Sequence, residues 1–406
     1  MEHSLSPLNY HRRMRDYLLA EHRELWEWFA SIEGKSDYTE AVELHLLKTT
    51  YRLEREAHRD LYEAADEVSL ALGLAIPVTL YQAQGGAGNS AALYDTPGHG
   101  HIVFIGGLLE LLDLPEKRAI LGHELAHFKL WREDSGRHLV ADQVLTAMVN
   151  EPRADETHFQ SARLHRLYTE IYADQGALLV TDEKTTISAL LKVHTGMKTA
   201  NPESYLKQAE ELFRKGQFST EGSTHPELFI RVRAIQKTSS GEDQTEVEEE
   251  INRLIEGEMK LDEMDFLSQQ SLLGHTKAFL QAHLKEEWLQ TDTILAHASL
   301  FFHDFRESLA SPGTFVLNLG GVDKKIRDYF CYLLVDFAVA DRELDENSIA
   351  ASFVTAESFA IADALEPLMR EELKLRKKDV IRIRKEATET VSKAMREHEQ
   401  GGGHAA

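Results

Sequence analysis

Hydrophobic residues along this chain recur mostly at helical spacing, with one short interval at strand spacing. Up to about residue 31, Tyr17, Leu18, Leu25, Trp26, Trp28 and Phe29 form an apolar stripe among charges, which predicts accessory helix packed on a larger body. A turn is expected over 34–38. Leu44, Leu47, Tyr51, Leu53, Leu61, Ala65 and Val68 then predict one long charged helix over 39–72, ended by Gly73. Beyond it the period shortens. Pro77-Val78-Thr79-Leu80-Tyr81 is a β-branched and aromatic run that predicts a strand. Gly85-Gly86-Ala87-Gly88 is a turn, and 89–94 with 101–105 reads as a hairpin pair around Pro97-Gly98-His99-Gly100. A short apolar helix follows over 108–112.

Asp113-Leu114-Pro115-Glu116 is a helix start, with Asp as cap, Pro in the first turn and Glu three residues after the cap. The helix it opens carries Ile120, Leu121, His123, Glu124, His127 and Phe128. After Trp131 the pattern is helical but interrupted, with a break at Asn150-Glu151-Pro152. A second strong helix is expected over 159–179, then helix, turn at Asn201-Pro202 and helix over 184–215, a polar loop over 219–226 and a helix over 227–236. Residues 238–250, rich in Ser, Gly, Asp and Glu, mark a domain boundary. From there the pattern is nearly all helix, over 247–264, 269–284, 286–307, 324–340, 348–364 and 366–398, before a Gly-rich tail. No internal repeat of fixed period is present.

Composition narrows the function classes. At 406 residues the chain is long enough for two or three domains. The formal net charge of -23 disfavours nucleic acid or an anionic membrane surface as a bulk electrostatic partner. A single cysteine, Cys331, forms no internal disulfide and joins no Cys-rich zinc site, so a reducing compartment, the cytoplasm, is expected. Cys331 lies in an apolar helical run and reads as a core residue. The N-terminus lacks the basic-then-apolar order of a signal peptide, and the longest uncharged stretch, 69–94, is interrupted by glycines and Pro77, so no membrane span is expected.

Within this frame Gly122-His123-Glu124-Leu125-Ala126-His127 carries chemistry. Histidines four apart share one face of a helix, their stems about 6 Å apart, as two ligands of one zinc ion require. Glu124 between them falls where it can reach a water at the metal. A catalytic zinc takes three protein ligands, and Glu170 on the second strong helix is the best third candidate. Asp174, four residues on, shares its face and can hold the other ring nitrogen of His123, fixing the tautomer. Solvated acids are the ordinary state of such a pair, but Ala173, Ala177 and Leu178 mark this stretch as buried, where acids need partners. His99 and His101 flank a turn, and His158 and His165 match no three-ligand template with the first motif, so none of the four is expected on the metal.

His123-Glu124-Leu125-Ala126-His127 followed by Glu170-Ile171-Tyr172-Ala173-Asp174 resembles the M48 family of zinc metallopeptidases, which pairs His-Glu-x-x-His with a downstream Glu-x-x-Ala-Asp helix. Ser223-Thr224-His225-Pro226 with Arg231 matches a third family element, whose histidine and arginine stand near the metal opposite the catalytic glutamate. The stretch from Asn89 to Ile105 is similar to the family's edge strand. The resemblance spans about residues 53–235. It implies a zincin-like (gluzincin-like) domain holding one Zn2+ per chain on His123, His127 and Glu170, with Asp174 behind them. Glu124 is then the general base, His225 and Arg231 are oxyanion donors, and Asn89, Ser90, Ala91 and Ala92 are the strand that receives an extended peptide. Many members carry membrane helices; this chain shows none and would be a soluble branch. Residues 327–373 weakly resemble a tellurite-resistance TerB helical domain, with Arg342 in place of the usual glycine. An Asp341-Glu343-Asp345 calcium loop is less well matched, since neither the glycine nor the terminal glutamate of that template is present.

The expected fold is mainly α with a small antiparallel β-sheet (α+β), a metallopeptidase domain followed by an all-helical domain. The expected boundaries are an N-terminal helical segment over 1–52, the peptidase domain over 53–237, an acidic linker over 238–250, the helical domain over 251–398 and a flexible tail over 399–406. The expected activity is zinc-dependent endopeptidase action on peptide or unfolded-protein substrates, with a protein partner assigned to the helical domain. The competing reading is a silent or autoinhibited zinc-containing scaffold acting through that domain.

Overall fold

The computed structural model describes residues 5–31, 36–86, 88–96, 98–216 and 219–402. The chain divides into two compact units, Met1–Gly257 and Glu258–Ala406. The first opens with α1 (Asn9–Glu21), α2 (Arg23–Ser31) and α3 (Ser36–Thr49), then β1 (Thr50–Arg52), α4 (Arg59–Ala71), β2 (Val78–Ala83), β3 (Ser90–Thr96) and β4 (His99–Ile105). It continues through α5 (Leu108–Leu111), α6 (Leu114–Asn150), α7 (Glu156–Val180), α8 (Glu183–Thr195), α9 (Pro202–Arg214), α10 (Leu228–Ser239) and α11 (Gln244–Glu256). The expected turn over 34–38 begins in residues outside the described set.

The sheet order is β1-β2-β4-β3, and it is mixed rather than antiparallel. The hairpin forms as expected, with β3 antiparallel to β4, Ser90 opposite Ile105 and Thr96 opposite His99. The chain reverses once between β2 and β3 and again in the hairpin, so β4 lies parallel to β2, with Val78 opposite Gly100. β4 takes the central place because Ile102, Val103 and Phe104 are apolar on both faces and fully or almost fully buried. β3 is left at the edge. The helix expected over 39–72 is two helices separated by β1 and a turn. Thr50-Tyr51-Arg52 are extended because they pair with Ala83, Gln82 and Tyr81 of β2, a contact the helical period of their neighbours does not reveal.

α6 begins as its sequence dictates. Asp113 Oδ1 accepts from the Glu116 N–H at 2.9 Å while the Glu116 carboxylate accepts from the Asp113 N–H at 3.0 Å. The same carboxylate receives Lys192 Nζ and Ser188 Oγ of α8, which ties the start of the helix to a distant element. At Glu133–Gly136 the helix kinks, with Asp134, Ser135 and Gly136 all at positive φ, a kink the sequence reading does not place; the break expected at Asn150-Glu151-Pro152 is where the helix ends. α7 begins at a second reciprocal cap, between Asp155 and His158.

α6 and α7 cross at almost bare backbone. A Cβ built on Gly176 would lie 2.4 Å from the Ala126 Cβ, and one on Gly122 would lie 2.5 Å from Val180 Cγ2. This close approach is what brings the two helices' functional faces together. α1 packs on the same two helices, burying Tyr10, Met14 and Leu18, so the N-terminal segment is part of the first unit, not a separate body.

The charge run at 238–250 does not separate domains. α11 occupies much of it and buries Val247, Ile251, Leu254 and Ile255 in the first unit, so the division falls after Gly257. A polar face on an amphipathic helix has the same composition as a linker, which accounts for the difference.

The second unit is helical: α12 (Phe266–His283), a 3₁₀ turn (Glu287–Leu289), α13 (Asp292–Phe301), α14 (Phe305–Ser308), α15 (Lys324–Ala340), α16 (Glu346–Ser358), α17 (Ala362–Glu372) and α18 (Lys377–Gly402). The helix expected over 286–307 is three shorter pieces. The tail expected from 399 is helical through Gly402, and 403–406 lie outside the described residues. Phe279, Phe315, Phe330 and Phe359 pack with ring centroids 4.9–5.5 Å apart. Cys331 is buried beside them, its thiol pushed up to about 12 by burial. Asp341 accepts from Thr291 Oγ1 and from the Glu343 N–H, so its carboxylate caps a turn. No helix among the described residues is long and apolar enough to cross a membrane.

Candidate metal centre

The third and fourth turns of α6 and the part of α7 around Glu170 meet just beside the close crossing. Their positions are set by two caps and one packing contact, and they carry the side chains that converge. His123 Nε2 lies 3.4 Å from His127 Nε2 and 3.4 Å from Glu170 Oε2, and His127 Nε2 lies 3.7 Å from Glu170 Oε1. Among the described residues this is the group of His, Cys, Asp and Glu side chains whose donor atoms close on one another as metal ligands do.

The spacing fits zinc. Two N or O ligands at about 2.0–2.1 Å on a tetrahedral ion stand about 3.3–3.4 Å apart, close to the three separations observed. The surroundings fit as well. Glu170 Oε2 is buried and accepts no hydrogen bond from the described residues. His123 Nδ1 is 3.0 Å from Asp174 Oδ1, which holds a proton on that nitrogen and turns Nε2 toward the cluster.

Electrostatics describe a site short of positive charge. Burial alone would raise Glu170, but the adjacent His123 outweighs it and holds the carboxyl well below the usual range. Burial would lower His123, yet Asp174 and Glu170 together raise it to about 10, so in the metal-free chain a proton occupies the place of a cation. Burial lowers His127 to about 4 and pushes Glu124 up to about 7, the latter opposed in part by His123. Glu124 is 8% exposed, enclosed beside the cluster.

Asp174 is buried, and its partners show where the sequence reading of Arg231 fails. Arg231 Nε donates to Asp174 Oδ2 at 2.7 Å and Nη2 to Oδ1 at 2.6 Å, a two-toothed pair with both side chains almost fully buried. The same Nη2 lies 3.8 Å from Glu170 Oε2. Arg231 therefore stands behind the cluster and holds Asp174; a guanidinium so committed does not face the open side as an oxyanion donor. His225 does face it. Its Nε2 is 3.5 Å from Glu170 Oε1, and its side chain is 55% exposed.

The edge strand lies as expected, with Ala91 and Ala92 half-buried and Ser90 exposed. The Asn89 side chain is committed elsewhere, accepting from the Gly107 N–H at 3.0 Å. The other histidines are accounted for locally. His99 pairs with Thr79, His101 lies between Tyr81 and Thr96, and His158 serves the α7 cap. His165 is buried with His11 and His138 on the far side of α7. Two features escape the sequence reading. Exposed His194, at the end of α8, lies within electrostatic reach of Arg231 and His225. The small residues Gly122, Ala126 and Gly176, which set the helix crossing, carry a signal only in their four-residue spacing on α6.

No solved structure matches the chain. Residues 94–239 match the family model described as peptidase family M48. That stretch runs from the edge strand through α10 and holds His123, Glu124, His127, Glu170, Asp174, His225 and Arg231. Over that stretch, which is less than half of its length, the chain is similar to peptidase family M48.

Proposed function

We propose that the protein is a zinc-dependent endopeptidase of the cytoplasm, holding one zinc ion per chain on His123, His127 and Glu170. The observation that supports this is the trio of donor atoms at 3.4, 3.4 and 3.7 Å, separations close to the edges that zinc coordination requires. Zinc in such a site supplies a polarising positive charge and acidifies water toward a pKa of about 7.

The chain's own residues do the rest. Glu124, raised by burial toward neutrality, accepts the proton of the attacking water as its oxygen bonds to the peptide carbonyl carbon. When the C–N bond breaks, Glu124 returns that proton to the leaving amine. His225 Nε2, on the open side next to Glu170, donates to the carbonyl oxygen as negative charge develops there. Asp174 keeps the His123 proton on Nδ1, and Arg231 keeps Asp174 ionised and aimed. The outer edge of β3 receives the substrate as an added strand, with Ala91 and Ala92 leaving room for close backbone approach.

Zinc analysis paired with a casein or peptide-library digest, with and without chelator, tests this. Glu124→Gln is expected to retain zinc and lose about 10²–10⁴-fold in rate, because an amide accepts no proton. His127→Ala is expected to lose both metal and activity. Normal cleavage by the Glu124→Gln protein would refute the mechanism.

A further inference from the structure

His225 has to be held by something other than burial. It sits in 219–227, a segment without helix or strand, and its ring is more than half exposed. A donor misplaced by about 1 Å forfeits on the order of 100-fold in rate, so a free segment would serve it badly.

The segment is clamped. Arg163 on α7 donates from Nε to the Gly222 carbonyl at 2.8 Å and from Nη2 to the Thr220 carbonyl at 3.0 Å. From the other side, the Glu227 carboxylate accepts the Glu221 N–H at 3.0 Å and the Thr220 hydroxyl. Thr220 Oγ1 in turn accepts the Gly222 N–H at 3.1 Å, and the Thr220 N–H donates to Leu254 at 2.8 Å. The turn closes on itself at Gly222, where a Cβ would stand 2.1 Å from the His225 carbonyl oxygen. The place of Gly222 thus sets the place of His225.

Resting on the reading of His225 as an oxyanion donor, we infer that Arg163 is a positioning residue of the hydrolytic site, acting through Gly222 to place His225 against Glu170. Arg163 and Glu170 lie seven residues apart on one helix, two turns or about 10 Å of rigid backbone. The element that presents the metal ligand therefore also carries the clamp for the opposing donor, and motion of the segment relative to the cluster is suppressed at its root. The planar fork of arginine reaches two carbonyls at a fixed angle, which a lysine ammonium does not do.

The test uses the full zinc-loaded chain and compares Arg163→Met, Gly222→Ala, His225→Ala and the Arg163→Met/His225→Ala double variant. Arg163→Met and Gly222→Ala are each expected to lower kcat about 10–100-fold with KM within about twofold and zinc content unchanged. The double variant is expected to be no slower than His225→Ala alone, since the clamp acts only through that ring. Independently of activity, amide exchange at 220–222 is expected to rise at least about tenfold in Arg163→Met and Gly222→Ala, and to stay unchanged in His225→Ala. Additive losses in the double variant, or wild-type exchange in Arg163→Met, would overturn the inference. Wild-type kcat in His225→Ala would remove both the donor and its clamp, while Glu124→Gln separately decides whether peptides are cut at this site at all. Should Arg163→Met fail to fold, Gly222→Ala and Glu227→Gln, both outside α7, carry the same comparison.

Discussion

The crossing of α6 and α7 puts a measurable constraint on the metal centre. Gly176→Ala adds a methyl whose carbon would begin 2.4 Å from the Ala126 Cβ and within 3.3 Å of Leu5 Cδ2. Carbon atoms in contact settle at about 3.5–4.0 Å, so the two helices must part by about 1 Å. Overpacking of this kind costs about 1–3 kcal/mol, and the gain in helix propensity from Gly to Ala returns at most about 1 kcal/mol. A net loss of up to about 2 kcal/mol follows, a fall in Tm of up to roughly 8 °C for a unit of this size. The consequence for the metal is sharper. Zinc ligands tolerate about 0.2 Å of misplacement, whereas His123 and His127 ride on α6 and Glu170 on α7, so the shift separates them directly. Zinc affinity is expected to fall about 10–100-fold, read by competition with a chelating dye, and thermal melts give the stability change. Gly274→Ala in α12 is the control: nothing lies within 4 Å of its Cβ, so it should be neutral or stabilising by up to about 1 kcal/mol. An unchanged zinc affinity and Tm in Gly176→Ala would refute the argument that this contact sets the ligand geometry.

Two further outcomes are expected. Arg231→Met leaves the Asp174 carboxylate buried without its cation, at a cost of about 3–5 kcal/mol, and weakens zinc binding about 10–100-fold by releasing the support of His123; a melt and a zinc titration check both. His11, His138 and His165 are buried neutral, each lowered mainly by burial, the latter two to about 4. Because the unfolded chain binds protons near 6.5 and the folded one does not, this stability is complete above that pH and is lost as pH falls toward 4. Both ring nitrogens of His138 lack a hydrogen-bond partner among the described residues, so His138→Phe should cost little at pH 7. It should also flatten the dependence by up to about 1.4 kcal/mol per pH unit below 6.5, seen in urea unfolding at pH 7, 6 and 5. An unchanged slope would show that His138 titrates normally.

The sequence by itself determined what is local. Asp113 and Glu116 start α6 wherever that helix goes, because their reciprocal cap spans three residues. The spacing of His123, Glu124 and His127 follows from the helix period, and Glu170 with Asp174 from the same rule one helix later. Tertiary structure decided what depends on partners far along the chain. Thr50-Tyr51-Arg52 became a strand because β2 was there to pair with it, against the helical pattern around it. β4 took the central place and made the sheet mixed through a pairing that no local period encodes. The acidic run at 238–250 became the exposed face of a packed helix, not a linker. Arg231 read as a donor on the open side, yet 57 residues separate it from the carboxylate that claims it. Period and capping act within a few residues, whereas salt bridges, strand pairing and the close crossing at Gly176 are settled only once distant segments have folded together.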